Sequence, residues 1–299
     1  MPNRRYVQLD VFASRPGAGN PLAVVLDAQG LDDAAMQAIA RWTRLPETTF
    51  VFPAESDDAS YRIRIFSPRR EVPFAGHPSV GTAHAVLDAG LAVPRDGASS
   101  GKFLVQDGIA GKLPLHVHGE GRARTIAVRT PRARVQEIAT PDDPRLRDAL
   151  AGLSLGTLPP VLMDGGRRWW IAELANEHAL RATTPHWTAI SALAEATDSM
   201  GLFAFARSED PVYYLAARAF VGAPAQFEDA ASGAANATLA AWLADQHALP
   251  STDGFYRVSQ GREVGFDAII ELQVDSAGDV WSGGRAVTVV EGTLDWPRD

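Results

Sequence analysis

One glutamate in an apolar stretch is the first candidate for acid–base chemistry in this sequence. Glu47 follows Pro46 and precedes a strand-type segment that contains Phe50, and Trp42 lies shortly before it. Apolar surroundings disfavour the charged form of a carboxyl group and raise its pKa, which suits general acid–base catalysis near neutral pH. On spacing alone, an exposed loop glutamate with no chemical role is the commoner alternative.

His77 and Asp229 each belong to a loop in which a glycine precedes a predicted helix. The first turn of a helix leaves unpaired N–H groups and a partial positive charge, so an anionic group can approach the backbone of Gly76 or Gly233. The same field lowers the pKa of a histidine, which would keep His77 neutral and able to hydrogen-bond a substrate. The alternatives are a structural histidine, a turn-forming aspartate and glycines that only turn the chain.

The two loops belong to an internal repeat. Residues 71–79 (EVPFAGHPS) align with residues 228–236 (EDAASGAAN), which matches Glu71 with Glu228. A strand-type segment precedes each loop, and an alanine-rich helical segment follows it. Because the order of the three elements is the same, we interpret the chain as two related halves. Chance similarity in an alanine-rich sequence is the alternative.

The loops need strands and helices around them, and hydrophobic periodicity predicts where these lie. Alternating segments predict strands at residues 6–12, 23–26, 48–53, 61–66, 169–174, 201–206, 212–221, 255–260 and 268–274, with further strands between residues 102 and 130. Helical spacing predicts helices at residues 34–44, 77–89, 185–197 and 234–246. The sequence therefore predicts a mixed fold in which strands outnumber helices.

Composition limits the class of protein. The 299 residues are 46% hydrophobic and 21% charged, which is typical of globular domains, and the length allows two of them. The chain contains no cysteine, so disulfides, thiolate nucleophiles and cysteine-based zinc sites are excluded. A formal net charge of −8 argues against a nucleic-acid partner. Apolar runs are too short to cross a bilayer, and the N-terminal residues favour a strand over a signal peptide, so we predict a cytoplasmic protein without a membrane partner.

Six further motifs follow one another along the chain: residues 19–25 (GNPLAVV), 47–51 (ETTFV), 71–77 (EVPFAGH), 218–220 (RAF), 228–234 (EDAASGA) and 258–261 (VSQG). In this order they resemble the PhzF-like isomerases of phenazine biosynthesis. The resemblance implies the diaminopimelate-epimerase-like fold, an α+β class in which each of two pseudo-symmetric domains wraps a β-barrel-like sheet around a central helix. It also implies a homodimer and a reaction without a cofactor. We place the domains at residues 1–125 and 126–280, with residues 281–299 as a terminal strand that returns to the first domain.

The resemblance also implies roles for individual residues. Glu47 matches the family's proton-shuttling acid/base, His77 the histidine of its G-H pair, and Asp229 the aspartate of its E-D-P-A-T-G-S-A motif. These three are the catalytic candidates. The substrate-binding candidates are Gly76, Ser79, Ser232 and Gly233. The family's type reaction is a double-bond isomerisation of a dihydro-hydroxyanthranilate, in which the glutamate moves a proton from one ring carbon to another.

The sequence departs from the family pattern mainly around the second loop. The family's proline, threonine and serine are replaced by Ala230, Ser232 and Ala234, and its M-G-R-P-S reads VGFDA at residues 264–268, without the arginine. Pro46 replaces the serine before the family's glutamate. We therefore expect the same kind of proton transfer on a different small carboxylate, in secondary-metabolite biosynthesis. The alternative is a non-catalytic metabolite-binding protein that retains the binding cleft.

Other reaction classes lack the residues they need. Racemases of this fold carry a cysteine before each loop glycine, where this chain has Ala75 and Ser232, so two-thiol racemisation is excluded. His116 and His118 share one face of a predicted strand, but no third ligand at suitable spacing is evident, and we predict no metal site. A dinucleotide enzyme would need G-x-G-x-x-G, of which residues 17–19 supply only the first part.

Overall fold

The computed structural model describes residues 3–97, 101–140, 142–222, 224 and 226–296 of the chain. Contacts divide the chain into two units, which we describe separately. Unit 1 consists of Met1–Arg129 and Gly283–Asp299, and unit 2 of Thr130–Ser282. Among the described residues, no helix is both long and apolar enough to span a membrane.

Both units are built mainly of strands with a few helices between them. The N-terminal part of unit 1 contains β1 (Asn3–Val11), β2 (Asn20–Val25), α1 (Asp33–Thr43), β3 (Glu47–Phe52), β4 (Tyr61–Phe66), β5 (Glu71–Val72), α2 (Gly76–Asp88), β6 (Arg95–Asp96), β7 (Lys102–Gly108), β8 (Gly111–His118) and β9 (Thr125–Arg129). Unit 2 contains β10 (Arg134–Ile138), α3 (Pro144–Arg147), β11 (Val161–Asp164), β12 (Arg168–Glu173), α4 (Glu177–Ala182), α5 (Trp187–Thr197), β13 (Gly201–Arg207), β14 (Leu215–Val221), β15 (Phe227–Asp229), α6 (Gly233–Asp245), β16 (Phe255–Gln260) and β17 (Ala268–Val274). The last two strands are β18 (Val280–Gly284) and β19 (Ala286–Asp295), and β19 belongs to unit 1.

The strands of unit 1 pair through hairpins and two parallel crossovers. β1 pairs antiparallel with β2 and with the C-terminal strand β19. Helix α1 connects β2 to β3, and these two strands run parallel, as such a crossover allows. β3 pairs antiparallel with β4, and β4 with the short β5. β4 also runs parallel to β7, from which β8 and β9 continue as an antiparallel meander.

Unit 2 repeats this order of strands. β11 pairs antiparallel with β12, and β12 runs parallel to β13 with α4 and α5 between them. β13 pairs antiparallel with β14, and β14 with the short β15. β14 runs parallel to β16, which pairs antiparallel with β17. The repeat in the sequence is therefore a repeat of topology.

One helix in each unit is buried on nearly all sides. In α2 every residue from 76 to 86 is buried, and α6 buries residues around its whole circumference. A helix without a polar face belongs in a core rather than at a surface. Close packing also needs a small residue, because a Cβ at Gly81 would lie 2.6 Å from Leu22 Cδ2 and 2.7 Å from Val11 Cγ2. The predicted α+β fold, with strands around a central helix in each unit, is confirmed.

The same ion pair stabilises the hairpin that precedes each central helix. Arg64 on β4 donates two hydrogen bonds of 2.6 Å to Glu71 on β5. Arg218 on β14 donates bonds of 2.9 and 2.7 Å to Glu228 on β15. Each guanidinium also lies over the phenylalanine ring two residues further along its strand, at 5.1 Å in unit 1 and 4.8 Å in unit 2. The match of Glu71 with Glu228 thus corresponds to one structural role.

Most predicted elements are confirmed to within one or two residues. The strands at 61–66, 255–260 and 268–274 have the predicted bounds. The strand predicted from residue 212 begins only at Leu215, because the Asp210 carboxylate accepts a hydrogen bond from the Val212 N–H and turns the chain. The sequence analysis missed β10, β11 and α4, which are short, and the mostly exposed β10 shows no hydrophobic alternation.

The two arginine–glutamate pairs differ in burial, which gives a stability prediction. The Arg218 and Glu228 side chains are 5% and 4% exposed, whereas those of Arg64 and Glu71 are 21% and 23% exposed. Arg218→Met leaves a buried carboxylate without its cation, so we expect it to lower the free energy of unfolding by about 3–5 kcal/mol. Arg64→Met should cost about 1–2 kcal/mol, because water reaches Glu71. Urea titrations of both variants measure the difference, and equal losses would contradict it.

Candidate active site

Glu47 is the first residue of strand β3, and its side chain is only 11% exposed. The interpretation as an exposed loop residue is therefore wrong, and the expected burial is confirmed. The expected cause is not, because Trp42 is 61% exposed and packs its ring 6.3 Å from that of Trp296. Phe50 belongs to the apolar cluster around α1, on the other face of the strand from Glu47.

The structure brings two of the catalytic candidates together. His77 is the second residue of α2, and its Nε2 lies 3.5 Å from Oε2 of Glu47. The His77 side chain is 7% exposed, so both groups are largely removed from water. A carboxyl group and an imidazole at this separation can both contact one bound substrate. The pair joins the start of a strand to the start of the central helix.

A buried hydroxyl pair fixes that strand against that helix. Thr49, two residues after Glu47, lies 2.8 Å from Thr82 of α2, measured between the two Oγ1 atoms. Neither threonine is exposed. Because strand residues two apart face the same side, this contact also sets the face on which Glu47 approaches α2.

The other first-loop candidates form the start of α2. Gly76 is its first residue. The Ser79 hydroxyl donates to the Ala75 carbonyl at 3.0 Å and accepts a hydrogen bond from Gln106 Nε2 at 3.0 Å. Ser79 is fully buried, so its hydroxyl stabilises the start of α2 through these two hydrogen bonds.

In unit 2 the candidates form an equivalent helix start. Asp229 ends β15, and its Oδ1 accepts a hydrogen bond of 3.3 Å from the Ala231 N–H. Ser232 is the N-cap of α6, where its Oγ accepts from the Ala235 N–H at 3.4 Å. Gly233 is the first residue of the helix, as Gly76 is in α2. The turn-forming role named as the alternative for Asp229 is thus present, and Ser232 caps the helix.

The histidine pair considered as a metal site lies on β8, where both residues are exposed on the same face. The rings of His116 and His118 are 6.1 Å apart between centroids. In the part of the chain that the structure describes, no three histidine, aspartate or glutamate side chains are grouped so that they could hold a metal ion.

Residues 9–292 match the phenazine biosynthesis-like proteins, PhzC-PhzF. The chain belongs to this family. Antisense-enhancing sequence 1 of Schizosaccharomyces pombe is 30% identical over 300 residues, 98% of this chain and 99% of that protein. The trans-2,3-dihydro-3-hydroxyanthranilate isomerase of Pseudomonas aeruginosa is 33% identical over 278 residues, 92% of each chain.

Solved structures agree with this assignment. The crystal structure of a PhzF-family phenazine biosynthesis protein from Bacillus anthracis superposes with a TM-score of 0.80 at 25% identity, over 99% of this chain and 100% of that one. A probable proline racemase from Agrobacterium radiobacter, 13% identical, shares the fold with a TM-score of 0.66, over 98% of this chain and 93% of that one. The predicted family and fold are confirmed, and relatives named isomerases confirm the predicted enzyme class.

Unit 2 of this PhzF-family chain has a glycine where unit 1 has Glu47. Gly201 begins β13 as Glu47 begins β3, and the registers of the two strands with their neighbours match. The φ angle of Gly201 is +140°, and a Cβ there would lie 2.1 Å from the Phe220 carbonyl oxygen. No side chain fits at this position, so the two units cannot present equivalent acids. Sequence alignment of the loops alone missed this correspondence, because only the strand registers define it.

The Thr49–Thr82 contact gives a coupling prediction. Thr49→Val removes one hydroxyl and leaves Thr82 Oγ1 buried without this partner, which should cost about 1–3 kcal/mol of unfolding free energy. Combining it with Thr82→Val should cost less than the sum of the single changes, since neither hydroxyl then remains, with a coupling of about 0.5–3 kcal/mol. Urea unfolding of the two single variants and the double variant measures this. Additive losses would show that the two hydroxyls do not interact.

Proposed function

We propose that this protein is a cofactor-independent isomerase that moves a proton, and with it a double bond, within a small cyclic carboxylate. The observation that carries the proposal is the buried pair of Glu47 and His77, whose Oε2 and Nε2 atoms are 3.5 Å apart at the N-terminus of a central helix. The family assignment supports the reaction class, and the pair supplies the groups that a proton transfer needs.

In the proposed reaction Glu47 serves first as base and then as acid. Its carboxylate takes a proton from a carbon next to a double bond, and the electrons of the broken C–H bond form a new double bond. The electrons of the original double bond form a C–H bond at the far carbon, with the proton that the Glu47 carboxyl returns. Bonds and charges balance within the substrate, so the step consumes no oxidant or reductant.

The remaining candidates position the substrate in this proposal. His77 hydrogen-bonds a polar group of the substrate, and the N–H groups after Gly76 attract its carboxylate. Ser79 acts indirectly, because its buried hydroxyl holds the helix start. Since the helix starts of the two units are alike, we extend the anion-binding role to Gly233.

Asp229 and Ser232 complete the proposed set through their match to the family motif. Asp229 is the third catalytic candidate, and it takes the position that Val72 occupies in unit 1. Ser232 contributes the cap that orders the first N–H groups of α6.

The proposed substrate class is based on the name of a relative and on a position at which this chain differs from the family motif. The relative from Pseudomonas aeruginosa is named for trans-2,3-dihydro-3-hydroxyanthranilate, a cyclic unsaturated amino acid. Ala234 replaces the serine that the family motif carries after the glycine, so this chain offers one hydroxyl less beside α6. We therefore propose a related cyclic β,γ-unsaturated carboxylate, in a biosynthetic pathway for a secondary metabolite.

The central test is solvent deuterium incorporation. The protein is incubated in D₂O with trans-2,3-dihydro-3-hydroxyanthranilate and related cyclic β,γ-unsaturated amino acids, and the products are followed by NMR and mass spectrometry. Glu47→Gln removes the base at nearly constant shape, so we expect incorporation to slow by about 10²- to 10⁴-fold.

The matched control is Glu173→Gln, because Glu173 is also a buried strand glutamate. It accepts hydrogen bonds from Thr157 and Leu158 and is not one of the candidate site residues, so the change removes a buried charge that the proposed reaction does not use. We expect its exchange rate to stay close to that of the wild type. Equal rates for the wild type and Glu47→Gln would contradict the proposed base. Binding of a probe by the wild type without any exchange would identify a non-catalytic metabolite-binding protein.

Ala234→Ser tests the proposed difference in substrate. Ala234 is half-buried in the first turn of α6, where a serine is sterically small enough to be accepted. If the missing hydroxyl sets specificity, the variant should lower KM for trans-2,3-dihydro-3-hydroxyanthranilate, by about tenfold for one hydrogen bond worth about 1.4 kcal/mol. Steady-state kinetics on this compound measure the change. An unchanged KM would remove Ala234 from the specificity argument.

A homodimer and a cytoplasmic location remain part of the proposal. Both come from the family resemblance and the sequence composition. Light scattering on the purified protein tests the first, and fractionation of the source cells tests the second.

A further inference from the structure

We propose that Gln260 is a positioning residue that holds the second glycine loop, residues 229–233, in place for catalysis. This inference rests on the proposed function, since it concerns the loop that carries Asp229. Gln260 is the last residue of β16, and neither the ion pairs nor the candidates described above include it.

The Gln260 side chain binds both ends of the loop. Its Nε2 donates to the Asp229 carbonyl oxygen at 2.9 Å. Its Oε1 accepts from the Ser232 N–H at 3.2 Å and from Asn236 Nδ2 at 2.8 Å. Asn236 Nδ2 also donates to the Ser232 carbonyl at 2.9 Å. One amide group therefore ties the end of β15, the cap of α6 and the first turn of that helix together.

These bonds are strong because water does not compete for them. Gln260 and Asn236 are both 0% exposed. The Gln260 backbone is paired with Ala217 on one side and Ala268 on the other, so the side chain projects from an interior strand. A buried amide with all its bonds made in one geometry can hold a loop, whereas an exposed one would exchange its partners with water.

The neighbouring residue supports the same loop by a different contact. Gly261 has a φ angle of +94°, and a Cβ there would lie 2.3 Å from the Ala230 carbonyl oxygen. The backbone after β16 therefore packs directly against the middle of the loop, and only glycine allows this approach. Gln260 and Gly261 thus contact residues 229, 230 and 232 in succession.

Unit 1 also has a buried glutamine near its helix start, but that glutamine makes a different contact. Gln106 on β7 donates to Ser79 in the first turn of α2, the residue that corresponds to Asn236. Gln106 pairs with Tyr61 of β4, whereas Gln260 pairs with Ala217 of β14, which lies two residues beyond the counterpart of Tyr61. The hydrogen bond of Gln106 therefore reaches the helix and not the backbone of the loop. The unit in which the glutamine binds the loop itself is the one whose loop carries an acidic candidate, Asp229.

The consequence for catalysis is geometric. Asp229 lies at the end of a three-residue strand, and the carbonyl of the same residue is the acceptor that Gln260 binds. Without that bond the Arg218–Glu228 pair before the loop and the Ser232 cap after it still hold the loop, but the backbone of Asp229 loses one of its hydrogen bonds and its position is less constrained. A displacement of about 1 Å at a reacting group can cost about 10²-fold in rate.

The experiment combines kinetics with a local structural readout. Gln260→Leu removes all three bonds, and Gln260→Glu keeps an acceptor for Ser232 while its carboxylate loses the donor to Asp229. We expect faster amide hydrogen exchange at residues 229–236 in both variants. We also expect kcat/KM for deuterium incorporation into trans-2,3-dihydro-3-hydroxyanthranilate, or into the probe from the same panel that the wild type uses, to fall by about 10- to 100-fold in Gln260→Leu. Gln260→Glu should also lose activity, because its buried carboxylate would face the Asp229 carbonyl oxygen without a donor between them.

Gln273→Leu is the matched control. Gln273, on β17 of the same unit, donates to the Asp253 and Val274 carbonyls at 2.8 and 3.1 Å, so it also holds a turn. Its loss should speed hydrogen exchange around residues 253–274 and leave kcat/KM unchanged. If Gln260→Leu does not fold, Gln260→Glu alone decides the comparison.

The outcomes separate the two proposals. Unchanged hydrogen exchange at residues 229–236 in the Gln260 variants would overturn the positioning role. Faster exchange with unchanged kcat/KM would show that the loop is held but that its position does not matter for the reaction, which also overturns it. If the wild type turns over no probe, the proposed function fails, and the hydrogen-exchange result still decides whether Gln260 holds the loop.

Discussion

The rest of the structure depends on one constraint: each unit buries the start of a helix in its core. Helices α2 and α6 have no polar face, so the N–H groups of their first turns lie in the core. Buried side chains order both helix starts. In unit 1 the Ser79 hydroxyl donates to the Ala75 carbonyl and accepts from Gln106. In unit 2 the Ser232 hydroxyl accepts from the Ala235 N–H, and Gln260 accepts from the Ser232 N–H. In the proposed reaction the N–H groups of these helix starts attract the anionic group of the substrate, so the stability of the fold and the proposed chemistry depend on the same residues.

The two units share the residues that hold their central helices and differ at the positions of the proposed site. The arginine–glutamate pair before each central helix is the same in both units, down to the phenylalanine under the guanidinium. The positions of the three catalytic candidates differ between the units. Glu47 corresponds to Gly201, where the backbone leaves no room for a side chain, and His77 corresponds to Ala234. Asp229 corresponds to Val72. The residues that hold each helix are thus shared by the two units, and the residues that the proposed reaction uses differ between them.

Sequence reasoning succeeded where the signal is local. Alternation predicted the strands at 61–66, 255–260 and 268–274, and helical spacing predicted both central helices. It failed at β10, which is mostly exposed and has no alternation, and at residues 212–214, where an aspartate turns the chain. It also attributed the burial of Glu47 to Trp42, which is exposed. Sequence proximity was a poor guide there, because the pleat of β3 turns Phe50 to one face and Glu47 to the other.

The sequence by itself determined the family, the repeated strand, loop and helix, and the identity of the candidate acid. These depend on residue types in order along the chain. Only the tertiary structure decided that Glu47 and His77 meet, because the two lie on different elements and the contact of β3 with α2 brings them within 3.5 Å. It also decided that Gly201 is the counterpart of Glu47 and that Gln260 binds the loop of Asp229. These correspondences and contacts depend on strand register and on long-range side-chain hydrogen bonds, and neither produces a periodic pattern in the sequence.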